Sequence, residues 1–195
     1  MFQYIPCVAG CGNTAVTGSN LCGIHCINSS AESERITVLI KTPPSALDID
    51  ASNLKFENTD FSNIFFSGCN FSKAIFISCN FSDCKINMCF FDFVVFSGCE
   101  FSKNDIQFSS FGGGVLNNCE FKDSELTNLN FCGARIINTV FKNSNLYNSR
   151  FNAAEISDVQ IDDCNIKKVF FIDSKQKNII FKSSNTNEAI FNMES

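Results

Sequence analysis

Residues 69–83 read CNFSKAIFISCNFSD, and this stretch sets a pattern that most of the chain follows. A large apolar residue recurs at every fifth position, at Phe71, Phe76 and Phe81, and a compact Cys or Ala stands two positions before it. From position 56 to position 191 there are 28 such sites, and 26 of them hold Phe, Leu or Ile. Such a long series without an insertion predicts a repeat protein.

A period of five fits neither an amphipathic helix nor a long strand, because a helix needs apolar residues at three- and four-residue intervals and a strand needs alternation. Within each unit the compact and the large residue are two positions apart, so both face the same side of a short extended segment. The polar residues that follow favour a bend. The pattern therefore predicts a winding chain whose coils pair as parallel strands and enclose a narrow apolar interior.

The units beginning at Cys69, Cys79 and Cys99, such as Cys-Asn-Phe-Ser-Lys, resemble the pentapeptide-repeat family. That resemblance implies an all-β fold, a right-handed quadrilateral β-helix with four units per coil. On this basis residues 46–195 form the solenoid, of about seven coils. Gln176 and Thr186 interrupt the apolar series near the end, so we expect the last coil to be the least well packed.

Residues 1–30 contain a second pattern, in which Cys7 and Cys11 are followed by Cys22 and the single histidine, His25. Four soft ligands paired in two short loops are typical of a tetrahedral structural zinc, and the segment resembles short zinc knuckles. We therefore predict one zinc per chain in a small N-terminal cap, with Cys26 as the alternative fourth ligand. The other interpretation is a capping segment with packed cysteines and no metal.

Residues 31–45 are interpreted as a linker and a capping strand. The run Arg35 to Lys41 is rich in β-branched residues, which favour a strand, and Pro43 and Pro44 would end it. The preceding residues from Asn28 are polar, which is typical of a loop. We expect the strand to lie over the first coil and to cover an edge that would otherwise promote aggregation.

The composition narrows the class of protein further. Seven of the twelve cysteines occupy the compact inward position, where a free thiol packs as a small hydrophobic group, so we expect reduced cysteines. The first residues show neither a basic secretory signal nor a long apolar run, and we expect a cytoplasmic protein that does not associate with membranes. A single histidine and the absence of a phosphate-binding loop motif argue against an enzyme.

Function is therefore expected on the outer surface. Some members of the pentapeptide-repeat family mimic duplex DNA and bind type II topoisomerases, DNA gyrase or topoisomerase IV, and protect them from quinolones. The net charge of −5 has the sign that such mimicry needs. The sequence has no basic patch, so we do not expect direct binding of nucleic acid. If successive five-residue units are assigned in turn to the four faces of the coil, seven acidic residues lie on one face: Asp60, Asp83, Glu100, Glu120, Asp123, Asp162 and Asp163.

The alternative is a general protein-interaction scaffold or adaptor that uses its zinc end or an exposed apolar patch. Five residues of that patch lie outside the inward positions: Ile75, Phe90, Phe93, Val95 and Val115. Such a patch is typical of an interface, although the N-terminal segment could also fold over it. The family resemblance further implies a possible homodimer through the C-terminal coil.

Overall fold

A computed structural model describes residues 4–192 of the chain. One helix, α1 (Ser29–Lys41), precedes fifteen β-strands, and a short 3₁₀ helix (Thr186–Glu188) follows them. The strands are β1 (Ser45–Leu47), β2 (Lys55–Glu57), β3 (Phe65–Ser67), β4 (Ile75–Ile77), β5 (Lys85–Asn87), β6 (Val95–Ser97), β7 (Glu100–Ser102), β8 (Asp105–Gln107), β9 (Val115–Asn117), β10 (Glu120–Lys122), β11 (Glu125–Thr127), β12 (Arg135–Ile137), β13 (Val140–Lys142), β14 (Glu155–Asp162) and β15 (Lys175–Lys182).

Every strand pair is parallel, and the paired residues are 20 positions apart, as in Phe76 with Phe96. Four five-residue units therefore complete one coil, and the chain forms a β-solenoid of about seven coils, as the sequence predicted. The first face contains β1, β3, β5, β8 and β11, and the third contains β2, β4, β6, β9 and β12. The second face is a column of single bridges through residues 50, 70, 90, 110, 130, 150, 170 and 190. The fourth contains β7, β10 and β13.

The core is a set of stacked aromatic columns. Phe rings one coil apart lie nearly parallel, with centroids between 4.5 and 5.2 Å apart. The ring of Phe96 stacks on that of Phe76 at 5.0 Å, and its other neighbour along the column is Leu116. Compact residues fill the space between columns; the thiol of Cys99, for example, donates to the carbonyl of Phe76. All twelve cysteines are unpaired. Each large residue thus packs on copies of itself, which makes the interior continuous.

The polar residues of each five-residue unit lie at the corners, where the chain bends from one face of the coil to the next. From Asp48 to Ser183, the second residue after each central one has a φ between +48° and +67°, as in Asn58 and Lys73. This left-handed conformation is unfavourable for residues with large side chains, whereas Gly, Asn and Asp tolerate it. Most non-glycine residues at these corners are Asn or Asp. The five-residue period is therefore a three-residue strand followed by a corner that needs a particular backbone conformation.

The prediction of a strand at Arg35 to Lys41, preceded by a loop, was wrong. These residues belong to α1, whose N-cap Asn28 accepts a hydrogen bond from the backbone N–H of Ala31. Ile36 and Ile40 lie four positions apart, so one helix face presents both, and both are fully buried against the solenoid. The β-branched residues have only a weak preference for strands, and burial of this apolar face outweighs it.

The N-terminal segment and α1 together cover the first coil. The backbone N–H of Thr17 donates to the carbonyl of Asp50, and its hydroxyl accepts from the Asp50 N–H at 2.7 Å. The carboxylate of Asp50 is buried and accepts from the side chain of Asn70 in the next coil. The cap is therefore joined to the second face by hydrogen bonds. Within residues 4–192, no helix is long and apolar enough to cross a membrane.

The far end of the described chain is less well packed. The side chain of Gln176 is exposed where earlier coils bury an apolar residue, and Phe181 and Phe191 are only half-buried. Among the strands of residues 4–192, β15 pairs on one side only, with β14. The decline of the apolar pattern in the sequence therefore matches a decline in burial.

Candidate functional site: a cysteine–histidine cluster and the outer faces

Cys7 and Cys11 lie in the first loop of the cap. The N–H of Cys7 donates to the carbonyl of Asn13, and the N–H of Gly10 donates back to the carbonyl of Cys7. Gly10 lies just before Cys11 and Gly12 just after it, with φ values of +68° and +79°. The tight loop requires this left-handed conformation, which glycine adopts readily. The loop thus directs two thiols to the same side.

Cys22 and His25 lie in the second loop, one helical turn apart. The N–H of His25 donates to the carbonyl of Cys22, and the N–H of Cys22 itself points at the sulfur of Cys7 at 3.3 Å. Gly23 packs so closely on the first coil that an added Cβ would lie 2.6 Å from the carbonyl oxygen of Ser52. The ligand loop is therefore in direct contact with the solenoid.

The potential ligand atoms of Cys7, Cys11, Cys22 and His25 all lie within 4.8 Å of one another. Cys11 Sγ is 3.7 Å from Cys22 Sγ, and His25 Nδ1 is 3.7 Å from Cys7 Sγ and 3.4 Å from Cys22 Sγ. A tetrahedral zinc with ordinary bond lengths gives edges of about 3.8 Å between two sulfurs and about 3.6 Å between sulfur and nitrogen. The cluster could therefore hold a metal ion. Cys26 lies outside it, because its thiol donates to the carbonyl of Gly23.

The local hydrogen bonds favour thiolates at two of these positions. The backbone N–H of Asn13 lowers the pKa of the exposed Cys11 thiol to about 6, and the N–H of Cys22 lowers the pKa of Cys7. Burial raises the pKa of Cys22, while the hydrogen bond to Cys7 raises that of His25. Since metal ligands must be deprotonated, N–H groups directed at sulfur are typical of a thiolate metal site.

The seven predicted acidic residues follow the fourth face and its corner. Asp60, Glu100 and Glu120 share one column, with Asn80 between the first two. The corner column holds Asp83, Asp123 and Asp163, all with positive φ. Asp162 is aligned with Lys142 and forms an ion pair with Lys182 at 3.7 Å. The structure thus brings the seven residues to one side of the solenoid, where four lysines accompany them: Lys103, Lys122, Lys142 and Lys182.

The predicted apolar patch divides between two faces. Ile75, Val95 and Val115 are consecutive partners on the third face, and Phe93 lies at the adjoining corner with 62% of its surface exposed. Phe90 belongs instead to the second face. Ile75 and Phe93 are exposed, so the described part of the cap does not bury these two side chains.

Three other exposed apolar residues lie on the first face or at its corner with the second face: Phe65, Met88 and Phe108. Met88 and Phe108 occupy the same corner in consecutive coils, with 55% and 60% of their surfaces exposed. The sequence shows that they lie outside the inward positions, but which corner they share depends on the 20-residue register. That register was available only from the family resemblance.

Comparisons with known proteins identify the repeats directly. The family model described as "Pentapeptide repeat region" matches residues 114–191, and "Pentapeptide repeats (8 copies)" matches residues 52–87. Together the two matches cover more than half of the chain. A sequence comparison with curated proteins gives no match.

Solved structures with the same architecture include two relatives of low sequence identity. QnrB1, a plasmid-mediated fluoroquinolone resistance protein, in a trypsin-treated form, is 16% identical with a TM-score of 0.51, over 75% of this chain and 76% of that chain. HetL, a pentapeptide repeat protein involved in heterocyst differentiation regulation in the cyanobacterium Nostoc sp. strain PCC 7120, is 11% identical with a TM-score of 0.47. That match covers 79% of this chain and 94% of HetL. At these identities the similarity concerns the fold.

Proposed function

Because the chain belongs to the pentapeptide-repeat family, whose members generally serve as structural or binding proteins, we propose that it is a non-enzymatic protein-binding solenoid. Its specific partner in this proposal is a type II topoisomerase, DNA gyrase or topoisomerase IV, which it protects from poisons in the cytoplasm. The observation that carries the proposal is the alignment of acidic residues along the fourth face, at the spacing of successive coils.

The geometry supports mimicry of a short duplex. Strands of neighbouring coils are about 4.8 Å apart, so the columns from Asp60 to Asp163 extend over about 24 Å, the length of roughly seven base pairs. DNA carries one negative charge per about 1.7 Å, whereas this face carries seven carboxylates and four lysines. We therefore expect weaker binding than DNA itself, in the micromolar range. The shared architecture with a fluoroquinolone resistance protein is consistent with this function.

The test is a supercoiling assay with purified gyrase, with and without a quinolone. We expect the protein to protect the enzyme, and the triple variant Glu100→Gln, Glu120→Gln and Asp123→Asn to lose that protection. Glu125→Gln is the matched control, because Glu125 lies on the first face and accepts from Asn145 there. If micromolar protein has no effect in either condition, topoisomerase binding is wrong.

The proposal includes one structural zinc bound by Cys7, Cys11, Cys22 and His25, which has no catalytic role. It is supported by the proximity of the four ligand atoms, which all lie within 4.8 Å of one another. Because the second ligand loop contacts the first coil, the metal would fix the cap over the open end of the solenoid. Covering that end prevents a free strand edge from pairing with other chains.

A scaffold or adaptor is the second candidate function, favoured by the column of Ile75, Val95 and Val115 beside the exposed Phe93. Homodimerisation through the C-terminal coil belongs to this candidate, since Ile180 on β15 is 56% exposed. The variant Phe93→Ser with Val95→Ser should keep the fold and lose self-association through this patch or partner capture, measured by light scattering and pull-down. Unchanged association together with a sharp fall in melting temperature would assign the patch to intramolecular packing.

A further inference from the structure

Strand β2 begins the third face and has one free edge. In the part of the chain that the structure describes, β2 pairs with β4 alone. The N–H of Ile75 on β4 donates to the carbonyl of Leu54, so the main-chain groups of alternate residues are used on that side. Those of Lys55 and Glu57 point to the opposite edge. Within residues 4–192 neither of these two N–H groups donates to another atom.

The neighbouring second face differs at the same level of the solenoid. There Asp50 occupies the first coil, and the cap provides a partner for both of its outward main-chain groups. The N–H of Thr17 donates to the carbonyl of Asp50, and the Thr17 hydroxyl accepts from the N–H of Asp50. The described part of the cap provides no such partner for β2. It therefore closes one edge of the first coil and leaves the next edge open.

A cleft of about 740 Å³ lies between this open edge and α1. Its volume is in the range of protein ligand sites, about 300–1,000 Å³. The helix contributes residues three and four positions apart, which form one face of α1. The cleft is lined mainly by Ser33, Glu34 and Thr37 from α1 and by Lys55, Phe56 and Glu57 from β2. The unpaired edge is therefore the side of a recess and not a flat surface.

The helix side of the cleft offers hydrogen-bond acceptors. The hydroxyl of Ser33 donates to the carbonyl of Ser29, and the hydroxyl of Thr37 donates to the carbonyl of Ser33. Because a hydroxyl has a single proton, the oxygens of these two side chains can only accept from a further group. Glu34 is exposed, and in the described chain its carboxylate forms no ion pair. This side therefore suits a ligand that carries donors and positive charge.

From this arrangement we infer that the cleft binds an extended segment of a partner protein, which adds a strand to β2 and directs a Lys or Arg to Glu34. In such strand addition, main-chain hydrogen bonds give affinity and the side chains around the edge give specificity. The free N–H groups of Lys55 and Glu57 are two residues apart, or about 6.6 Å, which is also the interval between carbonyls along one edge of an extended peptide.

The charge of the segment follows from the cleft. Lys55 and Glu57 neutralise each other in an ion pair at 2.7 Å, so Glu34 determines which charge is complementary. The inference rests on the protein-binding function proposed above, but the site lies at the N-terminal end and does not use the acidic columns.

The test begins with a phage-displayed library of random dodecapeptides on the immobilised full chain. Synthetic copies of the selected peptides are titrated by fluorescence anisotropy, and we expect them to share a Lys or Arg. Each peptide is also made with alternate amides N-methylated, in the two possible sets. Methylation of the set that faces β2 should weaken binding at least tenfold, whereas the other set should change it less than about threefold.

Lys55→Pro tests the strand edge in the protein. It removes an outward N–H that the ladder with β4 does not use, and Pro is tolerated at such an edge. We expect binding to weaken about tenfold, because main-chain hydrogen bonds provide the affinity in strand addition. Lys55→Gln keeps the N–H and is the matched control, with affinity within about twofold of the wild type.

Two further measurements do not depend on that variant. Glu34→Lys should weaken the basic peptides about tenfold, and peptides whose basic residue is replaced by Glu should recover binding to it. In the wild type, bound peptide should slow hydrogen exchange at the amides of Lys55 and Glu57. The amide of Asp60, in the first coil but outside the cleft lining, should exchange at an unchanged rate.

The inference is overturned if selection gives no shared basic residue, if both methylated sets bind equally, or if Lys55→Pro binds as the wild type does. Loss of a dimer in Lys55→Pro, seen by light scattering, would assign the edge to self-association and would overturn it as well. Lys55→Pro should retain gyrase protection, and the triple variant of the fourth face should retain peptide binding. Failure here and failure of the topoisomerase proposal are therefore distinguishable.

Discussion

The cap and the solenoid achieve order by different means. In the solenoid each large residue packs on an equivalent residue of the next coil, and Phe rings stack from Phe56 to Phe171 with little exposure. In the cap before α1, the buried apolar residues of the described part are few: Cys7, Ala15, Val16 and Cys22. Two of these are candidate metal ligands. The repeat therefore generates its own core, whereas the cap depends on the ligand cluster and on the surface of the first coil.

Because of this difference, a substitution in the solenoid and a substitution in the cap should affect different parts of the chain. Removal of one contact in the solenoid is felt by the neighbouring coils, because each coil contacts only those beside it. Removal of one ligand in the cap affects the whole small segment, since little apolar burial remains to order it.

Metal removal should have the largest effect, confined to the cap. A structural zinc contributes about 10 kcal/mol or more to the folding of small peptides, so Cys22→Ser or a strong chelator should disorder residues 4–26. Elemental analysis should find about one zinc per chain in the wild type and none in Cys22→Ser. Hydrogen exchange should show loss of protection at the amides of Cys7, Val16 and Cys22, with the central coils unchanged.

Cys26→Ser is the matched control for this prediction. Its thiol donates to the carbonyl of Gly23 and lies outside the ligand cluster, so zinc content and protection should be retained. Loss of zinc in Cys26→Ser with retention in His25→Ala would assign the fourth ligand to Cys26. A metal-free protein with an ordered cap would contradict the metal centre.

Within the solenoid, Phe96→Ala should reduce the free energy of unfolding by about 3–5 kcal/mol. Phe96 packs between Phe76 and Leu116, so its removal leaves a cavity with neighbours on both sides. Phe191→Ala should cost less than half as much, because Phe191 is half-buried and stacks on Phe171 alone in its column. Equal losses in equilibrium unfolding would contradict the column of stacked coils.

Asn104→Ser should stabilise the protein by about 1–2 kcal/mol. The side-chain Nδ2 of Asn104 is buried without a hydrogen-bond partner, whereas its Oδ1 accepts from the N–H of Cys84. One coil later Ser124 accepts the corresponding N–H, and its single O–H donates to the carbonyl of Lys122 at 2.7 Å, with that of Phe101 at 3.1 Å as a second acceptor, so a serine satisfies this position. The reverse change, Ser124→Asn, should destabilise. Thermal unfolding that moves in the same direction for both variants would refute this explanation.

Phe108→Asn should give the smallest effect, a gain of roughly 0.5–1 kcal/mol, because Asn tolerates the left-handed conformation better than Phe. The new side chain would extend the ladder in which Nδ2 of Asn148 donates to Oδ1 of Asn128. Chemical denaturation measures the change, with Asn128→Phe as the opposite control. A loss of stability in Phe108→Asn would show that the exposed ring contributes to packing.

The spacing of residues by itself determined the solenoid. A period of five with a compact residue two positions before each large one specifies the inward side chains and the corners, and strand pairing confirms them from Ala46 to Phe181. The four residues of the cysteine–histidine cluster were also visible in the sequence, because Cys and His in short paired loops are typical of candidate metal ligands. Both signals are local in the sequence. The first is a repeated spacing, and the second is a chemically distinctive set of residues.

The remaining features depend on contacts that form only in the folded chain. The β-branched run from Arg35 to Lys41 became a helix because Ile36 and Ile40 are buried on the first coil, and weak local preference cannot report that contact. Met88 and Phe108 occupy the same corner because they are 20 positions apart, which is the length of one coil. The choice of His25 over Cys26 in the cluster follows from a backbone turn that directs one side chain to Cys7 and the other to Gly23. These outcomes depend on contacts between distant segments, which sequence spacing does not encode.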